Sequence, residues 1–163
     1  MGLFSKIFNK EEMVYEDGDI VALANAEMIP ASNVGDEMFA QEMLGQTIAF
    51  VLKDKTVVSP ANGTLEVMYP TGHAFAVRMK NGMGILVHVG IDTVSLKGKG
   101  FKVFAKQGDN VKAGQKILEV DSETIRAAGY DPTTMLIITE PLEDGARISF
   151  TDYGEVNRGQ KIN

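Results

Sequence analysis

Short apolar runs rich in Val, Ile, Thr and Phe recur along the chain with glycines between them, and the 3.6-residue periodicity of an amphipathic helix is scarce. This pattern predicts strands over residues 20–24, 47–52, 56–59, 63–69, 74–79, 85–89, 102–104, 116–120, 134–139 and 147–151, joined by tight turns. Two segments read instead as short helices. One covers 36–44 and is ended by Gly45; the other covers 122–128, with Ser122 at its start and Gly129 at its end. The fold class that follows is all-β, an antiparallel β-sandwich or barrel with one or two short helices. One motif repeats: Val111-Lys-Ala-Gly-Gln-Lys-Ile117 is answered by Val156-Asn-Arg-Gly-Gln-Lys-Ile162, which reads as a reused turn and strand in a sheet built from two related halves.

Asn81-Gly82 lies between the runs 74–79 and 85–89 and marks a hairpin turn. If these two residues are the centre of a two-residue loop, Lys80 faces Met83 and Phe75 faces His88. His73 then lies two residues further along the same face, together with Phe75, Val77, Met79 and Leu86. A one-residue bulge, which Gly84 would permit, reverses that parity.

A chain of 163 residues with 44% apolar content suits one globular domain. Residues 1–17 read as a tail and 18–163 as the domain. Within the tail, Leu3, Phe4, Ile7 and Phe8 are the apolar side chains of a weak membrane-surface anchor, the alternative to a frayed end. That run is too short for a signal peptide's apolar core or a membrane span, so a cytoplasmic location is expected. A net charge of -6 argues against general nucleic-acid binding and favours a basic protein partner.

With no cysteine in the chain, thiolate metal sites and a cysteine nucleophile are excluded, and histidine becomes the informative residue. There are only two, His73 and His88, and the hairpin brings them together. A neutral imidazole is a nucleophile at neutral pH, and a second imidazole beside it can donate a hydrogen bond to phosphoryl oxygens. Phosphoryl transfer asks for that kind of positioning and charge stabilisation. Thr71 is placed to orient His73 through its hydroxyl or to start the strand. Asp92, four residues after His88, is placed to fix a tautomer, to shape a partner site or to order its own loop.

Thr71-Gly-His-Ala-Phe75 and the stretch from Leu86 through Val-His-Val-Gly-Ile-Asp-Thr-Val-Ser-Leu-Lys-Gly-Lys-Gly to Phe101 resemble the two signature stretches of glucose-type enzyme IIA of the bacterial sugar phosphotransferase system. Asp36-Glu-Met-Phe-Ala40, Ser59-Pro-Ala-Asn-Gly63 and Gly108-Asp-Asn-Val-Lys-Ala-Gly114 extend the likeness to about residues 18–162. The resemblance implies a sandwich of the duplicated hybrid motif type with a shallow apolar depression around the histidines. It implies that His88 takes a phosphoryl group from the phosphohistidine of the small phosphocarrier protein and passes it to a cysteine on a permease IIB domain. His73 then supports the transfer and Thr71 orients His73. Phe39, Phe75, Val89 and Asp92 are the expected partner-binding residues, regulatory protein partners are candidates, and no diffusible cofactor is required. Where relatives commonly read Gly-Asp-Gly-Ile-Ala, this chain has Gly45-Gln-Thr-Ile-Ala49, which bears on docking or turn geometry there.

Other readings compete. The stretch 108–114 also resembles the turn of biotinyl and lipoyl domains, for which Lys80 is the formal attachment lysine, without the flanking residues those domains use. His88 and Asp92 supply half the ligand pattern of zinc peptidases that share the duplicated fold, and His73 with His88 form a candidate shared zinc site. Lys97 and Lys99 read as solvated turn residues or as a phosphate clamp.

Overall fold

The computed structural model describes residues 14–163, and these form eleven strands and two short α-helices. The strands are β1 (Ala26–Pro30), β2 (Gln46–Leu52), β3 (Thr56–Val58), β4 (Gly63–Met68), β5 (Ala74–Met79), β6 (Gly84–Val89), β7 (Phe101–Val103), β8 (Asn110–Val111), β9 (Lys116–Val120), β10 (Thr134–Glu140) and β11 (Gly154–Val156). The helices are α1 (Glu37–Ala40) and α2 (Ser122–Ala127). An eight-stranded antiparallel sheet runs β11-β1-β2-β10-β6-β5-β4-β8, and a three-stranded sheet runs β3-β9-β7. The expected antiparallel sandwich is what forms.

The main core lies on one face of the large sheet and includes Phe50, Leu65, Phe75, Ile85, Val87, Ile117, Leu118 and Leu136. A second, smaller core lies on the other face, where Val34 and Phe39 cover Ala49, Met135 and Ile137, with Ile29, Leu86 and Ile91 around them. Strands β2 and β10 are therefore buried on both faces. This is why Met135 to Ile138 is a continuous apolar run rather than an alternating one.

The repeated motif folds as two copies of one turn. Gly114 and Gly159 share φ +87°. In each copy the glutamine amide donates to a carbonyl three residues back, Gln115 to Lys112 and Gln160 to Asn157, at 2.9 Å. Each glutamine side chain in turn accepts the Lys112 or Asn157 amide. The turns dock alike, Gly114 donating to the Ser59 carbonyl and Gly159 to the Ala22 carbonyl. Tyr15 spans both, its hydroxyl donating to the Gly159 carbonyl at 2.6 Å while its ring lies beside Gly114. Tyr15, within the stretch read as a tail, is thus packed on the domain. Leu3, Phe4, Ile7 and Phe8 lie outside the described residues.

Several expected elements differ. Residues 20–24 are fully buried but join no ladder apart from one bridge, Val21 to Lys161; their backbone bonds go to Pro60, Gln160 and Val58 in both halves. Residues 147–151 are not a strand, because Ile148 exchanges both its backbone bonds with the Gln46 side chain, at 2.7 Å each. The helix expected over 36–44 stops at Ala40, since Glu42 turns to φ 56°. In α2 the N-cap is Asp121 rather than Ser122, its carboxylate accepting the Thr124 amide.

Candidate functional site

The β5–β6 hairpin carries a three-residue loop, not the two-residue loop expected. Met79 donates to the Met83 carbonyl at 2.8 Å, and Gly82, at φ +99°, supplies the left-handed residue that such a loop requires. The register moves by one: Ala74 faces His88 and Phe75 faces Val87. His88 consequently shares its face with Leu86, Ala74 and Ala76. Phe75, Val77 and Met79 point into the main core on the other side.

Two expected partner-binding residues are therefore corrected. Phe75 and Val89 are both 0% exposed in the main core, so neither offers a surface to a partner. Phe39 is also buried, from α1, and its ring packs against the His88 ring with centroids 5.1 Å apart. It backs the histidine from the second core. Asp92 is exposed at φ 60° and makes no capping hydrogen bond, which removes the loop-ordering reading for its carboxylate.

The two imidazoles meet despite the register change. His73 precedes the first residue of β5, so strand parity does not govern it, and its carbonyl accepts the Val89 amide at 2.7 Å. The rings sit edge to face with centroids 5.4 Å apart. Thr71 Oγ1 lies 2.6 Å from His73 Nδ1, and Tyr69 packs on the same ring at 5.0 Å. His88 Nδ1 lies 2.8 Å from the Gly90 carbonyl. A carbonyl can only accept, so Nδ1 of His88 carries the proton, and in the neutral ring the free lone pair is on Nε2.

Electrostatics keep both rings neutral near pH 7. Burial pushes the His73 pKa below the usual histidine value, and the neighbouring His88 adds to that effect. Burial also lowers His88, against the opposing pull of the Gly90 carbonyl and of the Asp36 and Asp92 carboxylates. Asp36 stands there because it caps α1, accepting the Met38 amide at 2.8 Å. Asp36, Tyr69 and the ring-packing role of Phe39 are site features that strand and turn patterns do not reveal. The Asp-Glu-Met-Phe sequence, a helix-capping residue followed by an aromatic, was the available signal for two of them.

The remaining candidates are placed as follows. Lys80 is exposed beside the hairpin turn, and Lys97 and Lys99 are exposed in the turn after the 3₁₀ segment Thr93–Leu96. Gln46 is committed to Ile148, while Thr47 is buried with its hydroxyl donating to the Gly45 carbonyl. Among the described residues no group of three or more His, Cys, Asp or Glu side chains could hold a metal. Zinc at the two imidazoles would need ligands from another molecule. Among the described residues, too, no helix is long and apolar enough to cross a membrane.

Residues 18–143 match the family described as phosphoenolpyruvate-dependent sugar phosphotransferase system, EIIA 1. The chain belongs to this family. It is 36% identical over 165 residues to the PTS system glucose-specific EIIA component of Oceanobacillus iheyensis, covering 99% of this chain and 100% of that one. It is 38% identical over 156 residues to the glucose-specific EIICBA component of Staphylococcus saprophyticus, covering 93% of this chain but 23% of the relative. The chain thus spans about a quarter of that relative's length. Glucose permease IIA from Mycoplasma capricolum superposes with a TM-score of 0.83 at 33% identity, covering 88% of this chain and 92% of that one. This EIIA is a glucose-type phosphotransferase-system component, and its sandwich is the one that family uses.

Proposed function

We propose that this EIIA is a phosphohistidine carrier in which His88 Nε2 accepts a phosphoryl group from the phosphohistidine of the phosphocarrier protein and hands it to a cysteine of a permease IIB domain. The observation that supports this most directly is the Nδ1 hydrogen bond from His88 to Gly90, which leaves Nε2 as the free nucleophilic nitrogen beside His73. In the first step the Nε2 lone pair attacks phosphorus as the donor's P–N bond breaks, and the donor imidazole leaves with the electron pair. In the second, the IIB thiolate attacks the same phosphorus and His88 leaves as a neutral donor. No general base is needed to activate an already neutral ring.

His73 is the supporting residue. With the Thr71 hydroxyl donating to Nδ1, the His73 proton sits on Nε2, where it can donate to an equatorial phosphoryl oxygen as charge accumulates there. Asp36 and Asp92 give the rim of the site negative charge, which suits basic residues on both partners and makes docking weaken with salt. The protein works on the cytoplasmic side, where its partners are found. The reading is tested by a chase: phosphorylated EIIA mixed with a IIB domain should lose its phosphate to the acceptor. Transfer that persists when the IIB cysteine is changed to serine would refute the second step.

A further inference from the structure

Glu42 stands at a junction that nothing in the two signature stretches explains. It is a non-glycine residue at φ 56°, a conformation that costs an L-residue free energy unless its surroundings hold it. Four links hold it. Its amide donates to the Phe39 carbonyl at 3.0 Å, and its carbonyl accepts the Gly45 amide at 3.1 Å. Its carboxylate accepts the Thr47 amide at 2.9 Å and the Arg147 guanidinium at 3.0 and 3.1 Å. The Gln46 side chain clamps Ile148, so residue 147 is fastened to the turn before β2 and residue 148 to the first residue of β2.

The backbone bond from Glu42 leads to Phe39, and Phe39 is the ring packed on His88. We propose that Glu42, anchored by Thr47 and Arg147, is a positioning residue for phosphoryl transfer: it fixes the turn after α1 and thereby the Phe39 ring that sets the orientation of His88. The proposal deepens the carrier reading and rests on it for its kinetic part only. It also gives Gln46 a purpose. A carboxylate at that position would accept the Ile148 amide but could not donate to its carbonyl, so the amide side chain suits the strap running past residue 147.

Alanine, glutamine and glycine at position 42, together with Arg147→Ala, separate positioning from simple support. Histidine ring resonances of the folded protein report the Phe39 ring current at His88, and transfer from phosphorylated phosphocarrier protein gives kcat and KM. Glu42→Ala should move the His88 ring resonances and lower kcat about tenfold, the effect of misplacing a reacting group. Glu42→Gln should recover most of both, because its amide oxygen still accepts the Thr47 amide. Glu42→Gly relieves the backbone but lacks the acceptor, and should resemble Glu42→Ala. Arg147→Ala should cost about twofold, as expected of a largely exposed ion pair. Unchanged His88 resonances and kinetics in Glu42→Ala, with only a lower melting temperature, would overturn the proposal, as would a glycine variant that behaves like the parent. A parent that accepts no phosphate would refute the carrier reading, while the His88 resonances would still decide the positioning claim.

Discussion

Replacing Thr71 with valine removes one hydroxyl and little else, because the two side chains have nearly the same shape. The hydroxyl lies 2.6 Å from His73 Nδ1, and His73 is 6% exposed. A buried polar group that loses its partner costs about 1–3 kcal/mol. Thr71 is half-buried, so water can partly replace it, and the lower part of that range applies: about 1–1.5 kcal/mol, or roughly 5- to 12-fold in rate. The loss should fall on kcat, since the proton held on His73 Nε2 matters most when charge builds on the phosphoryl oxygens. Rapid-quench transfer from phosphorylated phosphocarrier protein to saturating EIIA measures it, with Thr71→Ser as a control expected to stay near the parent. A valine variant with parental kcat, or one whose KM alone rises, would refute this role for Thr71.

Other outcomes follow from the same geometry. Both histidine pKa values are lowered, so phosphoryl acceptance should hold level from pH 8 to about pH 6.5 and fall only on further acidification; an NMR titration midpoint for His88 above the ordinary histidine value would contradict this. By linkage, below about pH 6.5 the unfolded chain binds protons that the native rings resist, so stability falls as the pH is lowered, by at most about 1.4 kcal/mol per pH unit for each histidine. Denaturant titrations should show that slope flattened in a His73→Gln, His88→Gln double variant. Gly90→Ala should lose about 2 kcal/mol of stability, because φ is +82° and a Cβ would lie 2.4 Å from Thr93 Cγ2. It should also displace the carbonyl that holds His88 Nδ1, so phosphoryl acceptance should fall in protein that remains folded.

Strands β5 and β9 were legible to the residue because each is a short, mainly apolar run between clear turn signals. The meeting of the two histidines was legible too, but for a reason that needed correcting. Asn81-Gly82 announces a turn without fixing its length, and the third loop residue moved His88 and Leu86 from the face of Phe75 to that of Ala74 and Ala76. Phe75 and Val89 went to the core with that shift. Residues 20–24 read as a strand by their apolar character, yet their backbone bonds are divided between the two halves, a tertiary arrangement that no local pattern encodes. The same holds for Ile148, whose partner Gln46 lies 102 positions away. The packing of Phe39 on His88 joins β6 to a helix of four residues, and only the folded sheet brings them together.

The central claim, that phosphate resides on His88, is tested most directly by intact-mass analysis after incubation with phosphoenolpyruvate, the general phosphotransferase enzyme and the phosphocarrier protein. The parent should gain a single acid-labile phosphate, His88→Ala should gain none, and His73→Ala should gain it more slowly. A phosphate on His88→Ala, or an unmodified parent beside a demonstrably phosphorylated donor, would contradict the account.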